Sequence, residues 1–226
     1  MKIIRFTIPL LLLALAACGN VNQNIIIADG ETLDGNQSTV NGRIAVGEDA
    51  RVNGKLSTVN GAIEIGASSQ VGPVETVNGS ISLATGVTAG SLRTTNGQVA
   101  IGQDGSIDGD VRSTNGAIRI EPGTNVNGAV RTSNGLITLD GATADSLANT
   151  NGGMFLNNGC QVRGELRVGS VDRERDRIPE IVIGEGCEVA GPLVFERDVK
   201  LRVHESAQIG EVQGAEVEIF EGDPDD

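Results

Sequence analysis

The pentapeptide Ser-Thr-Val-Asn-Gly occurs at 38–42 and again at 57–61, and shorter copies ending in Asn-Gly follow at Asn78, Asn96, Asn115, Asn134 and Asn151. Counted from Asn41 and Asn60, the seven asparagines are spaced by 19, 18, 18, 19, 19 and 17 residues. A period of this length is the signature of a repeat architecture. Three residues after each asparagine stands an aliphatic residue, with a second two positions on. The pairs are Ile44/Val46, Ile63/Ile65, Ile81/Leu83, Val99/Ile101, Ile118/Ile120, Ile137/Leu139 and Met154/Leu156. Ile25/Ile27 precedes them, and Ile181/Ile183, Leu201/Val203 and Val217/Ile219 follow, which makes eleven copies.

An i, i+2 aliphatic pair is a strand with one buried face. The residues between, such as Glu64, Ser82, Arg119 and Thr138, tolerate water. Asn-Gly ahead of each strand predicts a turn that uses positive φ. It also suits a two-residue hairpin, but the second half of each repeat has a buried column of its own. That column runs Leu33, Val52, Val71, Ala89, Ile107, Val126, Val162, Val189 and Ile209, often within Val-x-Gly-x-Leu as at Val52–Leu56. Asp145 breaks it in the seventh copy. Each repeat therefore reads as one coil of a single-stranded parallel β-helix. The chain is expected to be an all-β solenoid of about 11 coils, each of 17–20 residues, stacked about 4.8 Å apart. Asn41, Asn60, Asn78, Asn96, Asn115, Asn134 and Asn151 are expected to stack and share amide hydrogen bonds, as in in-register sheets.

At the N-terminus Lys2 and Arg5 precede an apolar run, Ile8–Ala17, that closes on Leu-Ala-Ala-Cys at 15–18. This is a secretory signal, too short to span a bilayer as a mature helix. Its end resembles the lipobox of bacterial lipoproteins. The resemblance implies removal of 1–17, acylation of Cys18, a short tether at 18–24 and a solenoid over 25–226. Gly19 in place of an aspartate favours the outer membrane, facing periplasm or surface. Loss of Lys2 and Arg5 takes the formal net charge from −13 to −15, a poor match for nucleic acid. Tryptophan and tyrosine are absent and glycines number 32, but the regular Ile, Val and Leu exclude a disordered chain.

Cys160 and Cys187 each lie six residues after the first aliphatic of their copy, in a column otherwise held by small residues. Stacked coils would bring their Cα atoms within disulfide range. In an oxidising compartment a Cys160–Cys187 bond is expected, the alternative being two buried thiols. His204, the only histidine, follows inward Val203 and is expected to point into solvent. With no nucleophile converging on it, no catalytic residue is assigned. Gly102–Asp110 is acidic and glycine-rich but has neither an EF-hand glutamate nor a calcium nonapeptide period. No metal or cofactor is expected. Residues 169–180 form a charged insertion, read as a tolerated loop or a partner-binding flap, and 221–226 an acidic tail.

Ile181–Phe195, Ile-Val-Ile-Gly-Glu-Gly-Cys-Glu-Val-Ala-Gly-Pro-Leu-Val-Phe, is similar to the coils of bactofilins, polymer-forming bacterial cytoskeletal proteins. Ile120–Val130 and Ile101–Val111 resemble them too. The resemblance implies a right-handed parallel β-helix without a nucleotide cofactor, able to associate end to end. The whole chain also resembles solenoid lipoproteins of Gram-negative bacteria. Three functions follow as expectations. The first is a non-catalytic envelope scaffold or interaction module, tied to the membrane by its lipid and associating with itself or an envelope protein. The second is an adhesin or ligand-binding solenoid that uses a lateral face or outward Phe155. The third is a hexapeptide-repeat acyltransferase, which the uneven spacings and the lone, late His204 disfavour.

Overall fold

The computed structural model describes residues 21–170 and 178–222. Cys18 and its signal, most of the charged insertion and the last four residues lie outside these. Each coil is built from three short strands, for example Ile44–Val46, Arg51–Asn53 and Leu56–Thr58. The first strands of successive coils form one continuous parallel sheet of eleven, from Ile25–Ile27 to Val217–Phe220, so about ten turns separate its ends. Register holds residue for residue: Ile63 pairs with Ile44 and Ile81, and Ile118 with Val99 and Ile137. The second and third faces stack the same way. They merge into single strands at Asn125–Arg131 and Thr143–Asn149. Among the described residues there is no helix.

The interior is a set of aliphatic columns. The first face supplies two, one from each member of its i, i+2 pairs. Ile44, Ile63, Ile81, Val99, Ile118, Ile137, Met154, Ile181 and Leu201 are the buried first members. The second members, Ile27, Val46, Ile65, Leu83, Ile101, Ile120, Leu139, Leu156, Ile183 and Val203, are buried as well. They stack in the same order, Ile65 between Val46 and Leu83, and Leu156 between Leu139 and Ile183. Val52, Val71 and Ile107 from the second face, and Leu56, Val74, Leu92 and Val111 from the third, complete the core. Branched side chains suit these columns because they pack well on a pleated surface. Each contributes about 1.5–3 kcal/mol by leaving water. The columns weaken at both ends of the rod. Ile25 is only half-buried, and Val217 and Ile219 of the expected core are 38% and 61% exposed. Among the described residues no further coil covers them.

The break at Asp145 has a local cause. The seventh coil loses one residue in the turn at Asp140–Gly141, where Gly141 has a φ of 51°. Ala144 thereby takes the column position, paired with Val126 and Val162. The second residue is lost where the register shifts between Val126 and Ala129. Together these make a coil of 17 residues without disturbing the first face.

The expected positive φ at Asn-Gly is not where the backbone uses it. None of the seven asparagines or their glycines has positive φ. Positive φ falls instead in the turn after each first strand, at Asp49, Ser68, Gly86, Asp104, Gly123 and Gly141. The glycine of Asn-Gly is required by stacking. A Cβ at Gly97 would lie 2.0 Å from the carbonyl oxygen of Gly79, one coil earlier, and one at Gly79 would lie 1.9 Å from that of Gly61.

Candidate functional site

Away from the two ends of the rod, the aliphatic pairs singled out in the sequence are packing residues and form no part of a site. Ile65, Leu83, Leu139, Leu156 and Ile183 are at most 4% exposed and face the rod axis, so none can meet a partner or ligand. Candidate chemistry is confined to the turns and the outward columns.

The repeated turn combines three ladders. The residue two before each asparagine points inward and is buried: Thr39, Thr58, Thr76, Thr94, Ser113, Thr132 and Asn149. Its hydroxyl or amide donates to the turn of the preceding coil. Thr58 Oγ1 reaches Gly42 O at 2.9 Å, Thr94 Oγ1 reaches Gly79 O at 2.9 Å, and Asn149 Nδ2 reaches Gly135 O at 2.8 Å. Carbonyls that a turn would leave unpaired are thus satisfied inside the rod. Sequence reasoning passed over this ladder, although a Thr, Ser or Asn at a fixed place before every Asn-Gly was its signal.

The outward asparagines form the second ladder. Each Nδ2 donates to the Oδ1 of the asparagine one coil earlier, from Asn41 on Asn22 at 2.6 Å to Asn151 on Asn134 at 2.8 Å. The third ladder is the stack of glycines beside them, held in contact as described above. Among the described residues the first solenoid contacts are those of Asn22 and of Gln23, whose carbonyl accepts from Thr39 Oγ1. The asparagine ladder ends at Asn151 because the next coil carries the insertion at this corner. Arg197, two coils on, reaches back across the missing rung.

Both feet of the insertion are fastened. Ser170 N donates to Glu196 Oε2 at 3.0 Å, and Lys200 N donates to Pro179 O at 2.9 Å. Ile178 and Pro179 help enclose a cavity of about 520 Å³ beside Leu136 and Phe155. Phe155 is half-buried there, and its outward neighbour Val182 is buried.

Cys160 and Cys187 are buried free thiols on adjacent coils, with Sγ atoms 3.0 Å apart. The Cys160 thiol donates to Cys187, and that hydrogen bond together with burial pushes its pKa up. Accepting the same bond pulls the Cys187 thiol down.

His204 departs from expectation. It is 9% exposed, because the last coil lays Phe220 edge-on against its ring, centroids 5.3 Å apart. Its Nδ1 accepts from Ser206 N at 3.1 Å and lies 2.8 Å from Ser206 Oγ. The ring thus closes a turn.

The third face carries a run of like charges. Its outward column reads Ser57, Glu75, Arg93, Arg112, Arg131, Ala148, Arg167 and Val194, each paired with the next. Arg112 bonds Asp110, and Arg167 bonds Glu165 and Glu196. The Ala129 N–H, and then Arg112, hold the Asp110 carboxyl below the usual carboxylate range. Arg93 and Arg131 are exposed and make no ion pair among the described residues. A groove of about 420 Å³ follows this column.

No protein-family model, no curated protein and no solved structure matches the chain.

Proposed function

We propose that the chain is a non-catalytic solenoid lipoprotein of the cell envelope, held by acyl chains on Cys18 and working as a scaffold or interaction module. The observation that carries this reading is the run of ladders from Asn22 to Asn151, which stiffens a rod and repeats its outer surface rung by rung. Asn22, which accepts from Asn41, is four residues after Cys18, so the solenoid would stand close to its anchor. Lipobox and bactofilin-like coils support the same assignment. Metabolic labelling with a palmitate analogue tests it: label on the chain, lost together with membrane association in Cys18→Ser, is expected. An unlabelled chain found free of membranes overturns the anchor.

Self-association through the ends is part of the resemblance. The last coil carries Glu205, Glu211, Glu216 and Glu218, and the first Asp29, Glu31 and Asp34. Like charges would oppose head-to-tail joining until salt screens them. Electron microscopy of the full chain in detergent is expected to show single rods at low ionic strength.

A second reading, a ligand-binding solenoid, is favoured by the arginine run on the third face.

A further inference from the structure

We propose that the groove along Arg93, Arg112, Arg131 and Arg167 binds an acidic polysaccharide laid parallel to the rod axis. This rests on the ligand-binding reading and names its ligand class.

Two columns change together on the same coils. Beside Arg93, Arg112 and Arg131 the column next to the asparagines turns from Val40, Val59 and Val77 to Thr95, Thr114 and Ser133, and Thr150 follows beside Ala148 and Gly169 beside Arg167. Arginine and hydroxyl therefore alternate across one groove. Among the described residues these four hydroxyls have no protein partner and face the groove, and Arg112 Nε is buried without a partner.

Like charges directly opposite on neighbouring strands are destabilising. Arg93, Arg112 and Arg131 are opposite one another on consecutive coils. The first-face outward column, Ala45, Glu64, Ser82, Ala100, Arg119 and Thr138, has no such run. A local rule broken at one place, against a net charge of −13, marks a functional surface. An anionic ligand removes the repulsion.

The ligand must be extended, because the four arginines span four rung steps, about 19 Å at about 4.8 Å each. It must also be rich in hydroxyls to meet Thr95, Thr114, Ser133 and Thr150. A sugar residue is about as long as one rung, so an acidic glycan presents charge and hydroxyls at the repeat of the rod. An acidic peptide fits less well. The lateral backbone groups are consumed by coil-to-coil pairing, leaving no free edge for an added strand. Ala148 leaves one rung of the column open as a shallow step.

The test titrates the full chain in detergent with polygalacturonate oligomers, neutral dextran, polyglutamate and single-stranded DNA. Binding of polygalacturonate that weakens with salt is expected. Arg93→Gln/Arg131→Gln should weaken it by about tenfold or more, as expected for lost charge-assisted hydrogen bonds. Arg119→Gln, on the first face, should leave it unchanged. A circular dichroism melt and solution scattering confirm that the variants keep the rod. Failure to bind polygalacturonate, equal loss in Arg119→Gln, or equal or tighter binding of dextran, polyglutamate or DNA overturns the proposal. Loss of palmitate label leaves this titration untouched, so the two readings fail separately.

Discussion

Arg197 Nη1 lies 3.3 Å from Asn151 Oδ1 and 3.4 Å from the Thr150 carbonyl oxygen. The asparagine ladder is polar: every amide donates towards the N-terminus and accepts from the C-terminal side, so its last acceptor is Asn151 Oδ1. A guanidinium placed there satisfies that oxygen. Its charge has the same relation to the aligned amides as a cation at the carbonyl end of a helix. Asn96→Ala removes two ladder bonds and Asn41→Ala, near the start, also removes two, whereas Asn22→Ala removes one. At about 0.5–1.5 kcal/mol per bond, denaturant titration should rank Asn22→Ala as the mildest of the three.

Thr94→Val keeps the shape of a buried side chain and leaves Gly79 O without its donor. A loss of about 1–3 kcal/mol is expected. Thr94→Ser retains the hydroxyl, and Ser113 already fills the equivalent place one coil later. Equal losses for the two variants would show that the methyl, not the hydroxyl, matters.

Gly97→Ala forces a Cβ to within 2.0 Å of Gly79 O. Overpacking of this kind costs about 1–3 kcal/mol or more. Neighbouring coils should lose amide-exchange protection first, since a solenoid transmits strain to its nearest turns.

Ile118→Ala opens a void at a fully buried rung and should cost about 2–5 kcal/mol. Arg119→Ala, one residue on, loses an exposed ion pair with Glu121 and should cost within about 0.5 kcal/mol. Similar melting shifts for both would contradict the alternation of faces.

Cys160 and Cys187 are expected to oxidise in an oxidising compartment. Thiol titration under denaturing, non-reducing conditions should find neither free. The bond would close the insertion into a loop and add on the order of 3 kcal/mol. Two free thiols would leave the pair as packing only.

The solenoid was legible because its signal is redundant. Eleven aliphatic pairs, most of them 17–20 residues apart, leave little choice of fold, and Asn41 to Asn151 recur at the same interval. The inward direction of Ile65, Leu83, Leu139, Leu156 and Ile183 followed from the same alternation. What the sequence concealed was which demand each letter met. Gly97 looked like a turn residue needing positive φ, yet it is glycine because Gly79 O is in the way. Thr94 looked like part of a polar turn, yet it faces the core. Val217 and Ile219 match the pattern of a buried pair but stand on the last coil, where periodicity cannot report a missing neighbour. His204 was misplaced because its burial depends on Phe220, sixteen residues on, and no local pattern reports that contact. The arginine run was in view at Arg93, Arg112 and Arg131, but only coil registration makes it a column.

Seven rungs of the ladder are Asn-Gly, the dipeptide most prone to ageing. There the glycine nitrogen attacks the asparagine side-chain carbonyl, ammonia leaves, and the succinimide opens to aspartate or isoaspartate. Stacked amides resist this, because each Nδ2 is held by the coil before it and each Oδ1 by the coil after. Once one rung deamidates, its new carboxylate has no hydrogen to give and faces the oxygen it used to hold. Damage would then spread along the row like an opened seam, and the age of a molecule would be written in how many rungs have turned acidic.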